Sequence, residues 1–299
     1  AALVLFFFVA QFMGLLIVNQ YIDHKTTAEV HEVIYKPLPY NLERPEVENK
    51  SISFVYILIS ILIGTALLLL IVRTKKTILW KVVFFISVLA TLSVAFSAFI
   101  HPMAAGALAL ALTVWKLFKP NIIIQNLSEV FIYGGLAAIL VPMLNLFAAF
   151  MMLVTISIYD YIAVYRTKHM VKLAKFQSES KVFAGLFIPY ERNQIFFSLK
   201  PAKPKIPEKE PKRKKSVAVL GGGDIGFTLI FAGVVMKDLM LQETMLIGFL
   251  KTLIIPAVVS LALLFLLMKG EKDKFYPAMP ILSLGCFLGW LVVWLVSLI

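Results

Sequence analysis

The chain has 299 residues, of which 60% are hydrophobic and only 15% are charged, and its net charge is +12. Soluble domains have about 45–50% apolar and about 25% charged residues, so this composition excludes a disordered chain, a nucleic-acid-binding domain and most soluble enzymes. It is the composition of a multi-pass membrane protein, in which each transmembrane helix needs roughly 20 apolar residues.

Hydropathy along the chain predicts an all-α, polytopic membrane protein with about nine transmembrane helices. The predicted spans cover residues 1–22, 51–71, 77–100, 103–118, 126–142, 143–165, 216–236, 242–268 and 277–299. A polar loop with several prolines separates the first two spans. The fifth span begins with Asn126-Leu-Ser-Glu129, a pattern typical of a helix N-cap with a carboxylate three residues on.

These spans divide the chain into three parts: an N-terminal half, 1–165, a basic loop, 166–215, and a C-terminal half, 216–299. The loop has 14 Lys/Arg and 4 Asp/Glu. Its segment 181–199 carries many apolar side chains and is expected on the bilayer surface or in a groove of the protein. The Pro/Lys-rich segment 200–215 is expected to be disordered.

The distribution of basic residues predicts the orientation. If the loops after spans two, four, six and eight are cytoplasmic, that side has 23 Lys/Arg residues and the opposite side has 5. Cytoplasmic loops carry the excess of positive charge in membrane proteins. The N-terminus and the basic loop are therefore predicted to be cytoplasmic, with the C-terminus outside.

Two aspartates lie inside predicted spans, where a charged side chain costs at least about 2.5–3.5 kcal/mol. Asp160 is in span six and Asp224 is in span seven. At 1.5 Å per residue, they lie roughly 9 and 13 Å from the same membrane face. Two carboxyls in contact share a proton, so such a pair can act as base and acid in turn. An isolated intramembrane aspartate could instead cap a helix break or pair with a cation.

Two backbone signals accompany the aspartates. Gly221-Gly222-Gly223 directly precedes Asp224, and three glycines weaken a helix while they let another backbone approach closely. Pro277-Ala278-Met279-Pro280 opens the last span, where prolines can leave carbonyl groups unpaired. The glycines alone are also consistent with helix packing, and the prolines alone with a helix start.

Together these motifs resemble those of presenilin and signal peptide peptidase, the intramembrane aspartyl proteases. Tyr159-Asp160 resembles the family's Tyr-Asp motif and Gly221-Gly222-Gly223-Asp224 its Gly-x-Gly-Asp motif. Pro277-Ala278-Met279 resembles its Pro-Ala-Leu motif, with Met279 in place of leucine. The inferred orientation is similar to that of presenilin and opposite to that of signal peptide peptidase.

The resemblance implies hydrolysis of peptide bonds within the transmembrane helices of membrane-protein substrates. It implies Asp160 and Asp224 as the catalytic pair, with the remaining motif residues in contact with substrate: Tyr159, Gly221, Gly222, Gly223, Pro277, Ala278 and Met279. The expected partners are such substrates and the lipid bilayer, with no nucleic acid, and an oligomer is possible.

Other classes of membrane protein share some of these features. A cation channel or ion-coupled transporter also uses paired intramembrane carboxylates and broken helices, and type IV prepilin peptidases use a membrane aspartate as well. A non-catalytic scaffold would not need two costly aspartates. Four scattered histidines and the single Cys286 indicate no metal site, and no cofactor is expected.

Overall fold

The structure is a computed structural model that describes residues 2–45, 47, 49–74, 77–167, 182–189, 217–269 and 276–298, together with positions 170, 173, 176, 177 and 180; at 187–189 and 217–219 only the backbone is described. The helices are α1 (Ala2–Tyr21), α2 (His24–Val30), α3 (Ser53–Thr74), α4 (Thr77–Ser97), α5 (Pro102–Phe118), α6 (Ile122–Leu140), α7 (Leu146–Tyr161), α8 (Gly222–Gln242), α9 (Met245–Thr252), α10 (Ile254–Lys269) and α11 (Met279–Ser297). The strands are β1 (Gly185–Pro189) and β2 (Val217–Gly221).

The helices follow the predicted spans. Seven described helical segments are long and apolar enough to cross a membrane, with α9 and α10 counted together as Met245–Lys269. The shorter α5 and the charge-bearing α8 occupy the positions of the other two predicted spans. The prediction of an all-α, polytopic membrane fold is therefore confirmed, and the chain is an integral multi-pass membrane protein.

The predicted start of the fifth span is wrong. α6 begins at Ile122, and the Asn121 side chain accepts a hydrogen bond from the Ile123 N–H at 3.1 Å. Asn126 therefore lies within the helix, because three isoleucines after the true cap extend the helix toward the N-terminus. Glu129, interpreted as part of the cap, instead forms an ion pair with Lys116 of α5.

The helix of the seventh predicted span, α8, also begins later than predicted. Residues 217–221 form β2, which pairs antiparallel with β1 so that Gly185 lies opposite Gly221. A short apolar run is compatible with a strand or a helix, and here a partner strand from the basic loop decides between them. Gly185 has a φ of 153°, and a Cβ there would lie 2.3 Å from the Leu220 carbonyl oxygen, so this crossing requires glycine.

The β1–β2 hairpin lies inside the protein, where β1 packs against α6 and α1 and the Leu186 side chain is fully buried. The apolar part of the basic loop thus enters the helical bundle over residues 182–189. The predictions for residues 190–216, including the disorder expected at 200–215, lie outside the described residues.

Aromatic rings join the three helices that carry the sequence motifs. Phe150 of α7 lies 5.1 Å from Phe231 of α8, 5.1 Å from Phe287 of α11 and 5.0 Å from Trp290 of α11, measured between ring centroids. Such pairs stabilise packing by about 0.5–1.5 kcal/mol beyond the area they bury. Because α7, α8 and α11 are packed in this way, the relative positions of their motifs are fixed.

A buried lysine closes the break between α6 and α7. Pro142 lies in a 3-10 turn, Val141–Met143, and not inside a longer helix. The Lys237 ammonium of α8 donates to the main-chain carbonyls of Val141 and Leu144. The Val141 carbonyl also accepts from the Leu144 N–H at 3.3 Å. In a membrane an unpaired carbonyl costs several kcal/mol, so the bond from Lys237 to the Leu144 carbonyl stabilises the break.

Candidate active site

Asp160 lies near the C-terminal end of α7, directly before a π-helical turn, Ile162–Arg166. Its side chain is buried, and the carboxylate Oδ2 accepts a hydrogen bond from the backbone N–H of Met279 at 3.2 Å. π-helical turns are uncommon and occur frequently at functional sites. The contact joins the end of α7 to the start of α11.

The Pro-Ala-Met segment explains why that N–H is free to bind a side chain. Residues 276–278 are not helical, and α11 begins at Met279 with Pro280 in its first turn. The first N–H groups of a helix have no partner within the helix. Pro277 and Ala278 are buried and lead the chain to this point, so the motif brings a helix N-terminus to the Asp160 carboxylate.

Asp224 lies in the first turn of α8 and is partly buried. The backbone N–H of Gly221 donates to its carboxylate. A Cβ added to Gly221 would lie 3.2 Å from Asp224 Oδ2, so a side chain at position 221 would crowd the carboxylate. The strand β2 therefore delivers its last residue directly to Asp224.

Asp160 and Asp224 lie on two helices that pack against each other, α7 and α8, and α11 packs against both of them. Each carboxyl lies at the N-terminus of a helix, Asp160 at that of α11 and Asp224 at that of α8. Backbone N–H groups and the positive end of the helix dipole are thus directed at both acids. Two such acids that share one proton can act as one carboxylate, which accepts a proton from water, and one carboxylic acid, which donates a proton.

The other motif residues have different surroundings. A Cβ on Gly222 would lie 2.5 Å from the Tyr133 hydroxyl, whereas one on Gly223 would only touch the Phe227 ring at 3.4 Å. Gly223 is exposed. Tyr159 faces α3, where its hydroxyl donates to Thr65 Oγ1 at 3.1 Å.

Three features beside the aspartates were not predicted. The hairpin is one, and its pairing extends to the site through a bond from the Gly222 N–H to the Ala184 carbonyl at 3.2 Å. The second is Tyr133 of α6, which packs against Gly222 and donates to Glu129. A carboxylate within a span is costly, and this argument singled out the two aspartates. It applies equally to Glu129 and predicts that this residue has a partner.

The third feature is Gln11 of α1. Its amide nitrogen donates to the Ile225 carbonyl at 2.9 Å and to Thr228 Oγ1 at 2.8 Å. Thr228 in turn donates to the Asp224 carbonyl at 2.8 Å. A glutamine within an otherwise apolar span is the sequence signal for this contact, which fixes α1 against the turn of α8 that carries Asp224.

Comparison with known proteins found one family model and similar solved structures. The model is described as signal-peptide peptidase, presenilin aspartyl protease, and it matches residues 9–299. No curated protein matched the chain.

Two of the similar structures are of a presenilin family intramembrane aspartate protease. In space group C222 it has a TM-score of 0.58 and 19% identity, covering 97% of this chain and 94% of that one. In space group P2 it has a TM-score of 0.59 and 19% identity, covering 99% and 97%. At this identity the likeness shows that the fold is shared.

Proposed function

Because the chain belongs to the signal-peptide peptidase, presenilin aspartyl protease family, and is thus an intramembrane aspartic endopeptidase, we propose that Asp160 and Asp224 are its catalytic pair. The substrates are membrane proteins, cut within a transmembrane helix. The observation that carries the proposal is that the two acids lie on packed helices, α7 and α8, each at the N-terminus of a helix. Family membership also favours the protease over the cation channel or ion-coupled transporter.

The proposed reaction uses one carboxylate and one carboxylic acid. The carboxylate takes a proton from water as the water oxygen attacks the scissile carbonyl carbon, and the acid protonates the carbonyl oxygen. The tetrahedral intermediate then collapses and the C–N bond breaks, while the proton held by the first carboxyl passes to the leaving nitrogen. The second carboxyl, now a carboxylate, takes a proton from one hydroxyl of the intermediate as the C=O bond re-forms. The products are a carboxylic acid and an amine, and the pair again holds one proton.

Substrate access is proposed to depend on the hairpin and the glycines. A transmembrane helix hides its peptide bonds in internal hydrogen bonds, and each group exposed by unwinding in lipid costs several kcal/mol unless it is paired again. An unwound substrate that adds as a strand to the β1–β2 hairpin would regain these bonds. The small Gly221, Gly222 and Gly223 would let it pass close to Asp224.

The remaining motif residues are proposed to contact the substrate on the other side of the pair. Pro277, Ala278 and Met279 form the non-helical entry to α11 beside Asp160. Tyr159, bonded to Thr65, would meet the substrate from the side of α3.

Substitution of each aspartate tests the proposal. Asp160→Asn and Asp224→Asn preserve size but cannot exchange the proton, so each should lower cleavage by at least about 10²–10⁴-fold. The assay is mass spectrometry of fragments from a single-span substrate in detergent. Asp238→Asn, near the other end of α8, is the matched control and should cleave at the parent rate. Near-parental cleavage by either active-site variant would exclude the shared-proton mechanism.

The proposed orientation follows from the charge distribution. The N-terminus and the basic loop, 166–215, lie in the cytoplasm and the C-terminus lies outside. In this arrangement the N-terminal half, 1–165, supplies Asp160, the C-terminal half, 216–299, supplies Asp224, and both acids lie toward the cytoplasmic face. The 23-to-5 distribution of basic residues supports this orientation.

A further inference from the structure

A buried polar cluster lies between α5, α6 and the hairpin, and the proposed reaction does not use it. We define the register cluster as Lys116, Gln125, Glu129 and Tyr133. All four residues are at least nine-tenths buried; Glu129 is only 1% exposed and Lys116 4%. Groups of this kind are rare in a membrane interior, where each needs a partner.

Glu129 is the centre of the register cluster, because the other three side chains all donate to it. The Lys116 ammonium lies 2.5 Å from Glu129 Oε1, and the Gln125 amide nitrogen lies 2.8 Å from the same oxygen. The Tyr133 hydroxyl donates to Oε2. Glu129 thus accepts from three donors, one of which is the lysine that balances its charge. These bonds hold each donor in place.

One arm of the register cluster holds the hairpin. The Gln125 amide nitrogen lies 2.9 Å from the Phe183 carbonyl oxygen and 3.0 Å from the Gly185 carbonyl oxygen. Gly185 is the first residue of β1 and lies opposite Gly221 in the sheet. α6 therefore fixes where the hairpin begins.

The other arm holds the segment that leads to Asp224. The Tyr133 ring and hydroxyl fill the space that a side chain on Gly222 would need, and the ring lies 3.7 Å from where a Cβ on Gly226, one turn further on, would be. The same helix, α6, thus fixes the position of the catalytic turn.

We propose that the register cluster holds the β1–β2 hairpin at a fixed position relative to Asp224, and that it thereby determines which peptide bond of the substrate is cut. The inference rests on the proposed function, in which the substrate pairs with the hairpin and Asp224 is catalytic. A strand advances about 3.3 Å per residue and successive residues face opposite sides. A displacement of the hairpin by one residue, about 3.3 Å, therefore presents a neighbouring peptide bond to the water.

Fragment analysis of two variants tests this role. Gln125→Leu removes the arm to the hairpin, and Tyr133→Phe keeps the ring against Gly222 while removing the bond to Glu129. Both should spread the cut from the parent bond to its neighbours. Both should lower kcat by up to about 10²-fold, the effect of a misplacement near 1 Å, with KM near the parent value. Glu243→Gln disrupts an ion pair remote from Asp224 and is the control, with the parent fragment pattern expected.

Two outcomes would overturn the inference: variants that remain folded and give the parent fragments at the parent ratio, or a loss of all fragments in equal proportion, which a purely structural role would produce. Asp224→Asn in the same assay separates this inference from the proposed function. Cleavage by that variant would refute the catalytic assignment. An inactive Asp224→Asn together with unshifted fragments from Gln125→Leu and Tyr133→Phe would refute only the register role.

Discussion

At the scale of single residues, Gly222 has no space for a side chain. A methyl group on Gly222 would lie 2.5 Å from the Tyr133 hydroxyl, which Glu129 holds, so the start of α8 would have to move. Gly222→Ala should therefore lower kcat by up to about 10²-fold, because a shift of about 1 Å at the chemistry has that effect.

Gly64→Ala, in α3, is the matched control. A methyl group there meets no heavy atom within 4 Å, and alanine favours a helix over glycine by about 1 kcal/mol. This variant should keep activity within a few-fold of the parent and unfold at the same or a higher temperature. Steady-state kinetics of the two variants make the comparison, and equal losses of kcat would contradict it.

The proposed shared proton predicts how the rate depends on pH. In the proposed mechanism cleavage requires one ionised and one protonated carboxyl, so the rate should fall at low pH, where both are protonated, and at high pH, where both are ionised. The profile of kcat against pH should be bell-shaped, with a single maximum. It should be measured at saturating substrate, and a rate that is constant across acid and neutral pH would contradict the mechanism.

Some side chains at the site could be identified from sequence and others could not. Asp160 and Asp224 were identifiable because an aspartate in an apolar span is costly whatever it contacts. Lys116 has the charge of a loop residue on the cytoplasmic side, but it is buried beside Glu129. Its role depends on how α5 packs against α6.

At the scale of elements, two ion pairs of the same length differ in burial. Lys116–Glu129 and Lys251–Glu243 each have an N–O distance of 2.5 Å. The side chains of the first pair are 2% and 1% exposed, whereas those of the second pair are 21% and 20% exposed. Breaking a buried pair leaves an uncompensated charge and costs about 3–5 kcal/mol, whereas an exposed pair contributes about 1 kcal/mol at most.

Lys116→Met should therefore lower the Tm in detergent far more than Lys251→Met. The double variant Lys116→Met/Glu129→Leu removes both charges and should recover much of the loss, since apolar side chains can replace a buried pair. Similar Tm losses for the two single variants would contradict the argument that burial makes the α5–α6 pair the more important one.

The strands were the elements that sequence could not reveal. Val217, Ala218, Val219 and Leu220 continue the apolar run of the seventh span, so hydropathy assigns them to a helix. Their strand conformation depends on partners in β1, 28 to 34 positions earlier, and on a glycine with positive φ at the first residue of β1. Only the tertiary pairing distinguishes the two conformations.

At the scale of the whole molecule, hydropathy predicts the order of the apolar helices but not which of them are central. α3 has a mean hydropathy of 2.9, and only 11% of its most apolar window is buried. The segment that contains α6 has a mean hydropathy of 1.5, and 56% of its window is buried. The most apolar helix is thus largely uncovered by protein because lipid can surround it. The central helix can carry polar residues because other helices supply their partners.

The orientation of the molecule can be checked with trypsin on sealed vesicles. With the cytoplasmic face inside, cleavage should occur only in the first loop, whose basic residues are Lys25, Lys36, Arg44 and Lys50. With that face outside, cleavage should occur among the lysines of 200–215 and separate the two halves. Peptide masses identify the cut sites, and cleavage at 200–215 in the first preparation would reverse the proposed orientation.

The hydrogen bonds of Gln11 have a consequence for how the protein is made. Gln11 enters the membrane with α1, but its first partner, the Ile225 carbonyl, lies 214 residues later in the chain. At about 5–20 residues per second, synthesis leaves that amide without its native partner for roughly 10–40 s. During this interval the newly inserted helix carries a polar group into the bilayer, where water, another nascent span or an insertion factor must cover it. The contact that fixes α1 beside Asp224 is therefore among the last to form.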